Sequence, residues 1–112
     1  YALVEAWQKG GEELGLAKDL VRSLVRQTLH GASQMLTQTG EAAEELRRKI
    51  TSPGGATEAG LKVLEKYRFH EGVVEAVKRA AVRSREMGEE LQGQIRKELE
   101  SKELAGRTGE EG

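Results

Sequence analysis

The chain contains a single proline, and it heads a Gly-Gly pair in Thr51-Ser52-Pro53-Gly54-Gly55-Ala56-Thr57. On both sides of this stretch the sequence reads as helix. Pro53 has no N–H and its ring collides with the preceding helical turn, so a helix does not run through it. Gly54 and Gly55 reach backbone angles closed to other residues. A sharp turn is therefore forced between Ile50 and Glu58, and helix formers resume at Thr57-Glu58-Ala59. Two readings of the turn are open. In one it is a plain helix connection, with Ser52 as N-cap and Pro53 at the first helical position. In the other, the unpaired N–H groups at the start of the new helix and the positive end of its dipole seat a small anion, with the Ser52 and Thr57 hydroxyls beside it.

Composition narrows the fold. The chain has 112 residues, enough for one domain with a modest core. Aromatic residues make up only 4%, so the core must be built from Leu, Val, Ile, Met and Ala, a mix that favours helices over sheets. The net charge of −1 argues against a nucleic-acid binder, which needs a strongly basic face. There is no cysteine, which excludes disulfides and thiolate chemistry and leaves the compartment open. No apolar run approaches a membrane span and no signal peptide is visible. Tyr1 stands within an apolar pattern, which points to a chain cut from something longer.

Periodicity predicts about five helices. The first runs from Tyr1 to about Leu14, with Leu3, Val4 and Trp7 on one stripe. Gly10-Gly11 marks a place where another helix approaches closely, or else a stop. Gly15 suits a C-terminal stop, with Leu16 folding back as its apolar contact. The second, from about Ala17 to Thr39, carries Leu20, Val21, Leu24, Val25, Leu29, Met35 and Leu36 at steps of three and four. It is an amphipathic helix of about 30 Å that ends at Gly40. So long a stripe predicts packing across a subunit interface, with a core helix of a monomeric bundle as the alternative. Glu41 to Lys49 reads as a short helix, acidic at its start and basic at its end in Arg47, Arg48 and Lys49, as the helix dipole favours. The basic trio could also draw an anion toward the adjacent turn. Thr57 to about Tyr67 is the helix that the turn opens, and Arg68-Phe69-His70 reads as a short connection.

Glu71 to about Leu104 is the last helical pattern. Val73, Val74, Val77, Ala80, Ala81, Ser84 and Met87 form its inner face. At Gly88 the pattern changes. Residues 89–105 predict a charged helical extension in which Leu91, Ile95 and Leu99 continue one stripe among mixed charges. The glycine and glutamate content of 106–112 predicts disorder. Other chemistry is scarce. His30 and His70 are isolated, without the partner spacing of a metal site. No nucleophile elbow or P-loop is present, and no glycine-rich loop follows a strand, so no dinucleotide site is visible. Neither a catalytic acid or base nor a metal site is assigned.

Leu46-Arg47-Arg48-Lys49-Ile50-Thr51-Ser52-Pro53-Gly54-Gly55-Ala56-Thr57, followed by Gly60-Leu61 and Leu64-Glu65, resembles the signature of pyrroline-5-carboxylate reductases. Weaker blocks agree in order: Glu5-Ala6, Leu14-Gly15-Leu16, Gln27-Thr28, Gly31-Ala32 with Met35-Leu36, and Glu75-Ala76-Val77 with Arg83-Ser84-Arg85-Glu86. Residues 1–88 thus resemble the C-terminal, all-helical half of that enzyme. The resemblance implies an all-α bundle interlocked with a second copy in a homodimer or higher homo-oligomer. It implies a cytoplasmic oxidoreductase of proline biosynthesis. NADPH or NADH, bound by a domain absent from this chain, reduces 1-pyrroline-5-carboxylate to L-proline. Carried over by position, Ser52, Gly55, Ala56 and Thr57 would hold the carboxylate of this small-molecule substrate. Ser52 and Thr57 would use hydroxyls, and Gly55, Ala56 and Thr57 backbone amides. Neither nucleic acid nor membrane is an expected partner.

Three positions depart from the family pattern: Ala17 where proline is common, Arg48 where an acidic residue is common, and Glu58 where an apolar residue is usual. Such a chain alone is expected to be inactive. The alternative reading is a non-catalytic helical assembly module that keeps the interlocked dimer.

Overall fold

The computed structural model describes residues 1–110. Its elements are five helices: α1 (Ala2–Glu13), α2 (Lys18–Thr39), α3 (Ala43–Lys49), α4 (Ala56–Lys66) and α5 (Phe69–Glu110). No strand occurs among the described residues, in agreement with the all-α class. The chain divides into two units, Tyr1–Glu58 and the residues from Ala59 onward, and the division falls inside α4.

In the first unit α1 is stopped at Gly15. The Leu16 N–H donates to the Gly11 carbonyl at 3.2 Å and the Gly15 N–H to the Glu12 carbonyl at 2.9 Å. This is the paired closure of a Schellman motif, and the residue between those bonds must adopt a left-handed conformation, here Gly15 at φ +89°. The short link brings α2 against α1. Gly11 is where they meet: a Cβ built there would lie 2.9 Å from both Cγ atoms of Val21. The close approach expected at Gly10-Gly11 is thus found at Gly11, and α1 continues through the pair without a break. Val21 and Val25, one turn apart on α2, are the buried hydrophobic residues among those described. Leu20, Leu24, Met35 and Leu36 of the same helix remain exposed.

The α2 helix ends at Gly40, which donates to the Leu36 carbonyl. The α3 helix starts at Ala43, two residues later than expected. Glu41 stays outside it because its N–H donates to the Thr39 hydroxyl at 3.2 Å. Its carboxylate instead spans α3 and accepts from Lys49 Nζ at 2.6 and 2.8 Å.

In the second unit, α4 and α5 are joined by Tyr67 and Arg68 alone. Phe69 and His70, expected in a connection, already belong to α5. The reason is local. The Arg68 N–H donates to the Glu65 carbonyl at 3.0 Å, the backbone reverses at Arg68 with φ +54°, and the Arg68 carbonyl already accepts from Gly72. The α5 helix then runs 42 residues, through Gly88 and into the stretch where disorder was expected. Residues 106–110 are helical because Leu104, Ala105 and Arg107 are good helix formers around the two glycines. The Thr108 hydroxyl also donates to the Leu104 carbonyl. Residues 111 and 112, part of the same expectation, lie outside the described residues.

Candidate functional site

The turn at Ser52–Gly55 that joins α3 to α4 has a specific geometry. Its scaffold is the end of α3. The Ile50 N–H donates to the Arg47 carbonyl, the Thr51 N–H to the Arg48 carbonyl, and the Thr51 hydroxyl to the Arg47 carbonyl at 2.6 Å. From there the chain makes a four-residue reversal closed by the Gly55 N–H, which donates to the Ser52 carbonyl at 3.1 Å. Pro53 fills the second position and Gly54 the third, at φ +73°. A proline followed by a residue with positive φ is the signature of a type II turn, which demands glycine at that third position. Ser52 is therefore not an N-cap with Pro53 in the first helical turn. The reversal comes first and α4 begins only at Ala56.

Gly55 is needed for a second reason. A Cβ on it would lie 2.7 Å from Ser52 Oγ and 3.2 Å from the Ser52 carbonyl oxygen. The Ser52 hydroxyl thus sits directly over Gly55, across the mouth of α4. This revises one expectation: the Gly55 amide is committed to closing the turn rather than pointing outward. The Ala56 and Thr57 amides, at the first two positions of α4, have no helical carbonyl one turn back to bond.

Thr57 supplies the other hydroxyl. Of six threonines in the chain, Thr28, Thr37, Thr39, Thr51 and Thr108 each donate to a carbonyl of the preceding helical turn. Among the described residues only Thr57 makes no such bond, and its side chain is exposed. The four residues singled out by sequence all lie in the turn and the first two positions of α4. Ser52 stands at the first position of the turn, Gly55 closes it under the Ser52 hydroxyl, and Ala56 and Thr57 open α4. Gly54 was absent from that set although the turn depends on it. The Pro-Gly step at the second and third turn positions was the available signal.

The basic end of α3 is largely spoken for. Arg48 pairs with Glu45, and Lys49 with Glu41. Arg47 instead lines an apolar cleft of about 550 Å³ between α2 and α3, with Gly31, Ala32, Met35, Leu36, Leu46 and Ile50. A second apolar cleft, about 430 Å³, lies between α1 and α2 over Trp7, Gly11, Leu16 and Leu24. His30 and His70 take part in no metal-competent cluster among the described residues. No helix is long and apolar enough to cross a membrane.

Comparison with known proteins places this geometry in context. The family described as pyrroline-5-carboxylate reductase dimerisation matches residues 1–87. Pyrroline-5-carboxylate reductase 1 of Bacillus subtilis is 50% identical over 92 residues, which cover 82% of this chain and 31% of that protein. Pyrroline-5-carboxylate reductase 2 of the same organism is 43% identical over 93 residues, covering 83% of this chain and 34% of that protein. Among solved structures, a pyrroline-5-carboxylate reductase from Coxiella burnetii superposes with a TM-score of 0.72 at 39% identity, covering 76% of this chain and 32% of that one. The Plasmodium falciparum pyrroline carboxylate reductase, solved with NADP bound, gives 0.68 at 36% identity, covering 70% and 32%. The chain spans about a third of the length of the curated relatives it matches.

Proposed function

This chain belongs to the pyrroline-5-carboxylate reductase dimerisation family, and from that premise we propose that it is the dimerisation and substrate-carboxylate-binding part of such a reductase. The complete protein would reduce 1-pyrroline-5-carboxylate to L-proline with NADPH or NADH. The dinucleotide would be held by another part of the protein. What this chain contributes is orientation. A carboxylate seated between the Ser52 and Thr57 hydroxyls, on the Ala56 and Thr57 amides, fixes the ring so that its imine carbon faces the hydride donor. Holding reactants in a near-attack geometry lowers the barrier without an acid or base from this part of the chain.

The observation that supports the reading is the Thr57 hydroxyl at the start of α4, which, unlike those of the other threonines, donates to no carbonyl of the preceding turn among the described residues. The positive end of the helix dipole adds to the attraction for an anion. The exposed apolar faces support the other half of the reading. With only Val21 and Val25 buried among the described residues, the clefts between α1 and α2 and between α2 and α3 need covering, and a second copy supplies the matching helices. The proposed protein is a cytoplasmic homo-oligomer with a small molecule as its ligand.

Thr57→Val tests the site. It removes the hydroxyl and keeps the shape. Loss of a hydrogen bond to a charged group predicts roughly tenfold or more weaker binding of L-proline, with the oligomer intact. Unchanged binding would rule the hydroxyl out.

A further inference from the structure

The apolar face of α5 does not stop where the family match stops. Within the matched part it is carried by Val77, Ala81 and Ser84, and beyond residue 87 by Leu91, Ile95 and Leu99. At about 100° per residue all six fall in one sector roughly 80° wide. Gly88 lies on the same line, and the helix passes through it without interruption. Leu91, Ile95 and Leu99 are 57%, 49% and 57% exposed, so nothing within the chain covers them.

The opposite side of α5 binds the two parts together. Arg83 Nη1 donates to Glu86 at 3.2 Å and to Glu90 at 3.0 Å, and Arg79 lies 3.6 Å from Glu86. This ladder of charges crosses the end of the family match. The result is one helix with a dry face and a charged back, spanning residues on both sides of Gly88.

We infer that residues 88–104 lie against a second copy of this chain and lengthen the dimer interface beyond the part matched by the family. The inference rests on the homodimer proposed above, and continuity of the face is what selects the second copy as the occupant. The charges agree. Glu98 and Arg96 stand on either side of the apolar stripe. Both signs are therefore present on each copy and can pair between helices. A mixed flank of this kind does not suit an anionic lipid surface or nucleic acid, which call for a basic one. Lys102 follows on the same line after Leu99 and closes the apolar run, so the contact has a defined end.

Sedimentation equilibrium on the full chain tests this. A variant carrying Leu91→Gln, Ile95→Gln and Leu99→Gln should raise the dimer dissociation constant by about 100-fold or more, since six half-exposed side chains per dimer lose their cover. Lys97→Ala, on the charged back, should leave it unchanged. Equal dissociation constants for the triple variant and the unmodified chain, with equal helix content, overturn the inference and leave the proposed dimer standing. An unmodified chain that never dimerises overturns both. Hydrogen exchange on the unmodified chain decides the matter if the triple variant loses helix. Amides of residues 89–104 should gain protection as concentration rises through the dissociation constant, and concentration-independent exchange there overturns the inference.

Discussion

Replacing Gly11 by alanine probes a place where α1 and α2 touch closely. In an exposed helix interior such a change stabilises by about 1 kcal/mol, because glycine is the poorer helix former. Here the new Cβ would come 2.9 Å from both Cγ atoms of Val21. Val21 is 2% exposed, so its methyls have no open space to move into. Forcing a methyl into such packing costs about 1–3 kcal/mol, leaving a net loss of about 1 kcal/mol. The second leg is Val21→Ala, which removes both clashing methyls and by itself costs about 2 kcal/mol. In that background Gly11→Ala no longer meets an obstacle and should recover its helix gain of about 1 kcal/mol. The cycle therefore predicts a coupling of about 2 kcal/mol between positions 11 and 21. Urea unfolding followed by circular dichroism measures it, with all four proteins at one concentration because unfolding is linked to dissociation. Additivity within about 0.5 kcal/mol would refute the packing of α1 on α2 at this point.

The remaining predictions concern the turns. Gly54→Ala places a side chain at φ +73° and should cost about 1–2 kcal/mol while weakening L-proline binding, read by thermal unfolding and by titration. Gly55→Ala drives a methyl onto Ser52 Oγ and should weaken L-proline binding more than it lowers stability, because a hydroxyl can rotate away but then leaves its place over Gly55. Gly15→Ala breaks the left-handed cap of α1 and should lower the unfolding temperature by roughly 3–5 °C without altering ligand affinity.

Much of this architecture can be read from residue type. Pro53-Gly54-Gly55 dictates a reversal, Gly15-Leu16 a Schellman closure, and the valines and leucines of α2 a helix with one dry face. Each of those features is local, fixed by backbone sterics or by spacing within a few turns. What escaped the sequence depends on where atoms end up. The Gly55 amide could be counted as an outward donor until the Ser52 carbonyl was seen to take it. Phe69 and His70 read as a connection because an arginine with positive φ at Arg68 is not a pattern that composition announces. Glu41 reads as a first-turn residue of α3, yet the Thr39 hydroxyl holds its amide outside the helix. The continuation of α5 past Gly106 shows the limit of glycine as a helix breaker when its neighbours are strong helix formers.

The size of the folded species tests the central claim most directly. Each chain has a mass of 12.3 kDa. Among the described residues only two valines are buried, too small a core to offset the conformational entropy of the chain, and in the proposed dimer a second copy closes the apolar faces of α1, α2 and α5. Sedimentation equilibrium under native conditions should give twice the chain mass, or an assembly of such dimers, with helix content falling as dilution dissociates it. A cooperatively folded species with the mass of a single chain, at every concentration tested, would contradict the claim.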